Sequence, residues 1–477
     1  MSSLLARNTF YLTSAAIGQK IIAFVYFLFL ARIMQPESTG VYFLSVSLVT
    51  IFSVIADFGV TPVIIREIAK YPEKVRRLVR EALGTKIPFI LIAMISAVIT
   101  SIILGYDPLI VQLVIIASVV LALDSIHLLF YGALRGVQKL QYESLGIFVG
   151  QLSTAALGGL VLWLNPSLHL LILALMLGSS VNVLVSSRKV IKEFGRKTLV
   201  PVFSLKRTKT LLKIALPFAL AAIFVKVYSY IDSIFISKFL GTLELGLYSV
   251  AYKFTYAFQF LPLAFTAALY PGLSANVAHD QSALKQMLMR GMWYMMILAT
   301  PIVLGLWVIA PEAVLLAGES YASSAPVLRV LIFVLIPIFL DFPIGSLLNA
   351  ANRQTTKTAI MGITMVLNVI LNAVLIPQHG LMGAAIAGIA SFTFLFLAGL
   401  YFVHKIIPSF SHLDLIRTIF PIALSGGIML IATIALKPIV GWIGIIPIAA
   451  IIYFISLFVL GSIKKSDFLQ IKKLIRG

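Results

Sequence analysis

The sequence predicts an all-α integral membrane protein of about fourteen transmembrane helices, built as two six-helix lobes related by a pseudo-two-fold axis along the membrane normal, with two further C-terminal helices. Three observations predict it: a composition too apolar for water, apolar stretches of the length a bilayer requires, and a segment pattern that recurs 206 residues later. Of 477 residues, 60% are hydrophobic and 11% charged, with a mean hydropathy of +1.05. A soluble domain carries about a quarter charged residues.

A helix rises about 1.5 Å per residue and needs about 20 mostly apolar residues to cross about 30 Å of hydrocarbon. The stretches that satisfy this are 9–31, 40–63, 87–104, 109–131, 144–164, 168–187, 211–236, 246–270, 291–310, 326–350, 359–376, 380–402, 418–436 and 439–461. Arg7 precedes the first of them, which is too long for a signal-peptide core and ends in Arg-Ile-Met-Gln-Pro without a small-residue cleavage site, so it is expected to remain as a helix. An even number of crossings puts both termini on one side.

The basic residues say which side. With the N-terminus inside, 30 of the 37 Lys and Arg fall on the inner side, three (Arg32, Lys238 and Lys437) outside, and four (Lys20, Lys226, Lys253 and Arg329) within helices. Such an asymmetry across mostly short connections orients both termini toward the cytoplasm of a protein in the cell membrane. It also accounts for the net charge of +20: runs such as Lys74-Val75-Arg76-Arg77 are topogenic and face lipid headgroups, not nucleic acid. The longest outer connection, 311–325, has about fifteen residues and has no room for a soluble domain.

The internal repeat divides the chain. Residues 31–42, ARIMQPESTGVY, match 237–248, SKFLGTLELGLY, at an offset of 206 that also carries Lys20 onto Lys226; more weakly, GALRGVQK (132–139) matches SLLNAANR (346–353). The expected organisation is an N-lobe over 1–187, a basic cytoplasmic linker over 188–210, a C-lobe over 211–402, and a final pair of helices with a basic cytoplasmic tail over 403–477. An even number of helices per copy gives the copies the same orientation, as in transporters with parallel repeats.

Ionisable residues in mid-helix mark the candidate site, because each is costly in hydrocarbon unless it meets water, a partner or a ligand. Lys20, with Gln19 beside it, lies about eleven residues into its helix and Lys226 about fifteen. Neither reaches an interface easily. Lys226, Ser229, Tyr230 and Ser233 share one face by their i, i+3, i+4, i+7 spacing, and Lys253 lies close enough to join them. These six, with Gln19, are the expected substrate contacts; the alternative for the lysines is a buried ion pair with Asp232 or another aspartate. Arg329, three residues from an outer end, is read as snorkelling. Asp124, His127 and Tyr131 line one face of their helix as a candidate proton or cation relay, with Asp57, Asp232 and Asp341 completing the acidic set; the alternative is a structural role.

Catalytic signatures are missing from the sequence. It has no cysteine, which excludes disulfides and thiolate chemistry. It has no phosphate-binding loop followed by Lys-Ser or Lys-Thr, no zinc-type spacing of histidines and no supporting pattern for a Ser-His-Asp assembly. Transport without a cofactor, not enzymatic catalysis, is the expectation.

Asn8-Thr9 entering the first helix, Ala31-Arg32-Ile33-Met34 before Gly40-Val41-Tyr42, Ala56-Asp57-Phe58-Gly59 followed by Ile65-Arg66-Glu67, Gly246-Leu247-Tyr248-Ser249-Val250-Ala251-Tyr252-Lys253 and Leu269-Tyr270-Pro271 together resemble a known family. It is the polysaccharide transporter, or Wzx-type flippase, branch of the multidrug/oligosaccharidyl-lipid/polysaccharide exporter superfamily. The resemblance implies two lobes alternating around a cationic cavity to move a polyprenyl-phosphate- or pyrophosphate-linked glycan from the cytoplasmic to the outer leaflet. It implies as partners the glycan lipid, membrane lipids, a coupling proton or sodium ion, and glycan polymerases or glycosyltransferases acting beside a monomer. Lys20 and Lys226 would supply one cation per lobe to the anionic headgroup. Because they are lysines, the sequence departs from the arginine-rich cavity of lipid II flippases. A drug or cation antiporter of the superfamily, an integral-membrane glycosyltransferase and a passive scramblase are the competing readings.

Overall fold

A computed structural model describes residues 2–277 and 279–463, with the side chains of 2–14, 16, 264 and 266–268 outside the description. The terminal segment 464–477, which holds five of the basic residues assigned to the cytoplasmic tail, lies outside the described residues, as do the side chains of Arg7, Asn8 and Thr9.

Fifteen α-helices follow one another, with no strand among the described residues: α1 Ser2–Asp57, α2 Val60–Lys70, α3 Val75–Ile103, α4 Pro108–Gly136, α5 Leu140–Leu164, α6 Leu168–Phe194, α7 Leu205–Phe239, α8 Thr242–Tyr256, α9 Phe260–Asn276, α10 Gln281–Leu315, α11 Ser324–Leu331, α12 Leu335–Ala350, α13 Gln354–His379, α14 Leu381–Ile406 and α15 His412–Val459. Eleven helical segments are long and apolar enough to cross a membrane. Two of them hold two crossings each, because α1 leaves helical geometry at Gln35 and α15 at Gly441. Another crossing is shared by α8 and α9 across the short turn Ala257–Gln259. Fourteen crossings result, as the apolar stretches predict.

The breaks have local causes. Gln35 precedes Pro36, whose ring disfavours the α conformation of the preceding residue, and it takes φ 62°. The second crossing ends at Asp57, earlier than the predicted 63, because Phe58 and Gly59 turn left-handed at φ 42° and 68°. At Gly59 a Cβ would stand 2.6 Å from the Ala215 carbonyl oxygen and 2.8 Å from the Ala219 nitrogen, so α7 approaches a bare backbone there. The chain resumes as α2, which buries Val60, Val63, Ile64 and Ile68.

The described chain packs as two units, one of Met1–Val250 with Met361–Ala384 and one of Ala251–Ile360 with Ala385–Gly477. In the first, α1 packs against α3, α4, α5 and α7. The basic segment after α6 is docked there: the Val202 N–H donates to the Arg80 carbonyl at 2.9 Å and Arg80 Nε donates to the Val200 carbonyl at 3.0 Å. In the second unit, α10 packs against α12 and α15.

The internal repeat has a geometric counterpart. Gln35 and Gly241, 206 residues apart, both break the chain with positive φ, and Gln138 and Asn352, paired in the weaker match, take φ 62° and 58°. Lys139 N–H then reaches back to the Leu134 carbonyl at 2.9 Å, as Arg353 N–H reaches Leu348 at 2.8 Å. Gly40 and Gly246, aligned by the offset, meet reciprocally: a Cβ on Gly40 would fall on the Thr242 carbonyl, and one on Gly246 would fall on the Pro36 carbonyl. Pro36 and Thr242 are themselves a repeat pair. A contact in which i meets j and j meets i is what a two-fold relation generates.

Outward faces are apolar at helical spacing. On α3 the exposed residues include Ile95, Ile99 and Ile103. On α13 they include Ile363, Val366, Ile370 and Val374, whereas Thr364, Asn368 and Asn372 are buried on the other side. Polar inside and apolar outside is the arrangement hydrocarbon solvent selects.

Candidate functional site

Within the first unit a cavity of about 450 Å³ opens between α1, α4, α6 and α7. Its walls are mostly Val, Leu and Ala, and its polar groups are Thr50, Ser53, Asp57, Asp124, Ser125 and Lys226. A mostly apolar cleft with a few converging polar groups is the usual form of a small-ligand site.

Lys226 is half-buried on α7, with its Nζ 5.5 Å from the centre of the Tyr230 ring. It lies within electrostatic reach of Lys20 and of Asp124. Two residues 206 positions apart in sequence, both mid-helix lysines, thus act on each other. Lys20 itself is exposed on α1 and Gln19 beside it is half-buried. Among the described residues no carboxylate stands at ion-pair distance from either lysine.

The predicted relay residues stack along α4. Asp124 Oδ1 is 3.1 Å from His127 Nε2 and accepts a hydrogen bond from Ser179 Oγ at 2.6 Å. The His127 ring lies 5.6 Å from that of Tyr131, and the Tyr131 hydroxyl donates to the Asn182 carbonyl at 3.3 Å and to Asn182 Oδ1 at 3.2 Å. Asp124, with 45% of its side chain exposed, opens to the cavity, whereas His127 is 10% exposed and its Nδ1 has no partner. The order runs from the cavity into packed protein.

Asp57 has a partner that the sequence did not suggest. Lys86, counted among the basic residues of an inner connection, lies on α3 with its side chain 1% exposed and Nζ 2.7 Å from Asp57 Oδ1. The same ammonium donates to Thr61 Oγ1 at 3.2 Å and to the Ser125 carbonyl at 2.8 Å, and the Thr61 hydroxyl donates to Asp57. Three acceptors satisfy the three donors of the buried ammonium. Asp57 remains 24% exposed at the cavity, so this ion pair ties α1, α3 and α4 together at its wall.

The other predicted residues are elsewhere. Asp232 is buried in the C-terminal half of α7, accepting from the Tyr248 hydroxyl at 2.6 Å and the Ser233 N–H at 2.8 Å, with Ser233 fully buried beside it. Ser229 and Tyr230 are half-buried on α7. Lys253, on α8, and Asp341, on α12, belong to the second unit, where the charge of Lys357 acts on Asp341. The buried amides of α13 escaped the sequence reading. Asn372 donates to the Asn368 carbonyl at 2.8 Å and its own Oδ1 is buried without a partner. The i, i+4, i+8 spacing of Thr364, Asn368 and Asn372 is the signal that would have found them.

Residues 5–277 match the model of the family described as polysaccharide biosynthesis protein, and residues 217–374 match the model described as MatE. The probable low-salt glycan biosynthesis flippase Agl15 of Haloferax volcanii is 24% identical over 390 residues, 81% of each chain. The probable flippase AglR of the same organism is 29% identical over 172 residues, which take in 35% of this chain and 36% of that one. The chain therefore spans about a third of the length of AglR. Among solved structures, the lipid II flippase MurJ in an inward closed conformation superposes with a TM-score of 0.76 over 96% of this chain and 99% of its own, at 16% identity. A likeness at that identity is one of fold.

Proposed function

Because the chain belongs to the polysaccharide biosynthesis protein family, we propose that it is a flippase, carrying a polyprenyl-phosphate- or pyrophosphate-linked oligosaccharide from the cytoplasmic to the outer leaflet by alternating access. Lys20 and Lys226 hold the anionic headgroup. The observation that carries this reading is that Lys226, one of the few polar groups of a mostly apolar cavity, lies within electrostatic reach of Lys20, without a described carboxylate at ion-pair distance from either. Like charges repel, and the repulsion grows as the dielectric falls. A phosphate or pyrophosphate between them reverses the sign of that interaction. The name of Agl15, a probable flippase of glycan biosynthesis, supports the same class of activity.

Both termini face the cytoplasm of the cell membrane in this reading, which places the C-terminal end of α10 and the Gly441 bend outside. The acidic side of the same cavity couples the movement to an ion, with Asp124 as the exposed carboxylate and His127 as the group that exchanges a proton with it. The coupling is checked by flipping of a polyprenyl-pyrophosphate-linked glycan in proteoliposomes with and without an imposed pH or sodium gradient. A gradient should accelerate the wild type, and Asp124→Asn should reduce the rate to the gradient-free level. Equal stimulation of both proteins would leave Asp124 without a coupling role, and flipping absent from the wild type would overturn the function.

A further inference from the structure

A second cavity, of about 620 Å³, lies wholly within the second unit and holds charges that the function above does not use. It sits where the last turns of α10, the last turn of α11 and the bend of α15 come together. Its chemistry comes from Trp307, Trp442, Arg329, Lys437 and Glu312. Lys437 Nζ donates to Glu312 at 2.8 Å and to the Val308 carbonyl at 2.9 Å. Arg329 donates through Nε to the Trp307 carbonyl at 3.2 Å, with its guanidinium 5.2 Å from the centre of the Trp307 ring. Its terminal amino groups have no described partner.

Arg329 and Lys437 against Glu312 leave one positive charge in excess. A guanidinium with two free amino groups matches the geometry of a phosphate. The two indoles provide flat, polarisable surface of the kind on which the apolar face of a sugar ring packs. The rim has a third character: Ile434, which lines the cavity, is 51% exposed, and Ile439 and Ile443, in the same bend of α15, are 77% and 66% exposed. An apolar rim around a cationic, aromatic hollow at the end of membrane-crossing helices fits a molecule with a hydrocarbon end and a charged, sugar-bearing head. A volume of about 620 Å³ falls in the range that holds a small ligand.

We infer that this cavity is a binding site for a lipid-linked sugar phosphate, its phosphate held by Arg329 and Lys437 and its first sugar ring against Trp307 and Trp442. The inference rests on the flippase reading for the identity of the lipid and for its side of the membrane, and makes the cavity the docking place of the headgroup after it has crossed. Glu312 competes with the phosphate for Lys437. Arg329, which the sequence reading gave a snorkelling role, becomes a ligand contact.

The chain contains four tryptophans, Trp163, Trp293, Trp307 and Trp442, so a full-length protein with Trp163→Phe and Trp293→Phe reports from this cavity alone. It is placed in nanodiscs of phosphatidylcholine and titrated with polyprenyl-phosphoryl-hexose, reading tryptophan emission. The expected result is a saturable change, with affinity at least about tenfold weaker in Arg329→Gln and in Lys437→Gln and tighter in Glu312→Gln. The last variant moves affinity in a direction that misfolding does not produce. No emission change, an unaltered affinity in all three variants, or equal binding of phosphatidylglycerol would each overturn the site. The titration is an equilibrium measurement and needs no transport. A protein that binds here and does not flip its ligand would therefore sink the flippase reading alone, and one that flips without the emission change would sink this site alone.

Discussion

Replacing Lys86 with Gln should lower the stability of the protein by about 3–5 kcal/mol, because it leaves the Asp57 carboxylate at the cavity wall without its cation. The side chain of Lys86 is 1% exposed, and all three of its hydrogen bonds go to groups on other helices. Asp57→Asn should cost a comparable amount, since a buried ammonium then has no counter-charge. The double variant Lys86→Met with Asp57→Leu should recover much of the loss, because an ion pair replaced as a whole by apolar residues of similar volume is often neutral or better. Thermal unfolding of the purified proteins in one detergent checks all three. Single and double variants melting together with wild type would mean that the pair does not hold these helices.

The second large effect is expected where the repeats touch. Gly40→Ala and Gly246→Ala each put a methyl group onto a carbonyl of the opposite helix start, Thr242 or Pro36. Backbone cannot rotate away as a side chain does, so each substitution should cost at least the upper part of the usual overpacking range of about 1–3 kcal/mol. The two sites share one crossing, and the first substitution already forces the helices apart. The double variant should therefore cost distinctly less than the sum of the singles. Strict additivity, or no loss in either, would contradict the reciprocal contact.

What the sequence made legible follows from the solvent. Hydrocarbon demands apolar runs of a set length, so the number of crossings was legible, whereas helix ends were not: α3 starts at Val75 and α10 at Gln281, ahead of the predicted 87 and 291. The repeat was visible because Gly40 and Gly246 are needed for a close approach and cannot drift. The Lys86–Asp57 pair was not visible. Lys86 stands at the edge of the apolar run Ile87-Pro88-Phe89-Ile90, where a basic residue ordinarily meets headgroups, and its partner lies 29 positions away with nothing local to link them. The amides Asn368 and Asn372 were hidden for a different reason: a search for charge passes over neutral polar groups, although hydrocarbon expels them too. Asp232, one of the predicted acidic set, accepts hydrogen bonds from the Tyr248 hydroxyl and the Ser233 N–H, contacts that its charge does not reveal.

The central claim is that Lys20 and Lys226 meet the anionic headgroup. It is tested most directly by leaflet flipping of a defined polyprenyl-pyrophosphate-linked glycan in proteoliposomes, comparing wild type with Lys20→Gln, Lys226→Gln and the double variant at matched thermal stability. A contact between a charged group and its partner contributes about 1.5–3 kcal/mol, so each single substitution should slow flipping by roughly 10- to 100-fold, and the double should abolish it. Equal flipping by all four proteins would contradict the account.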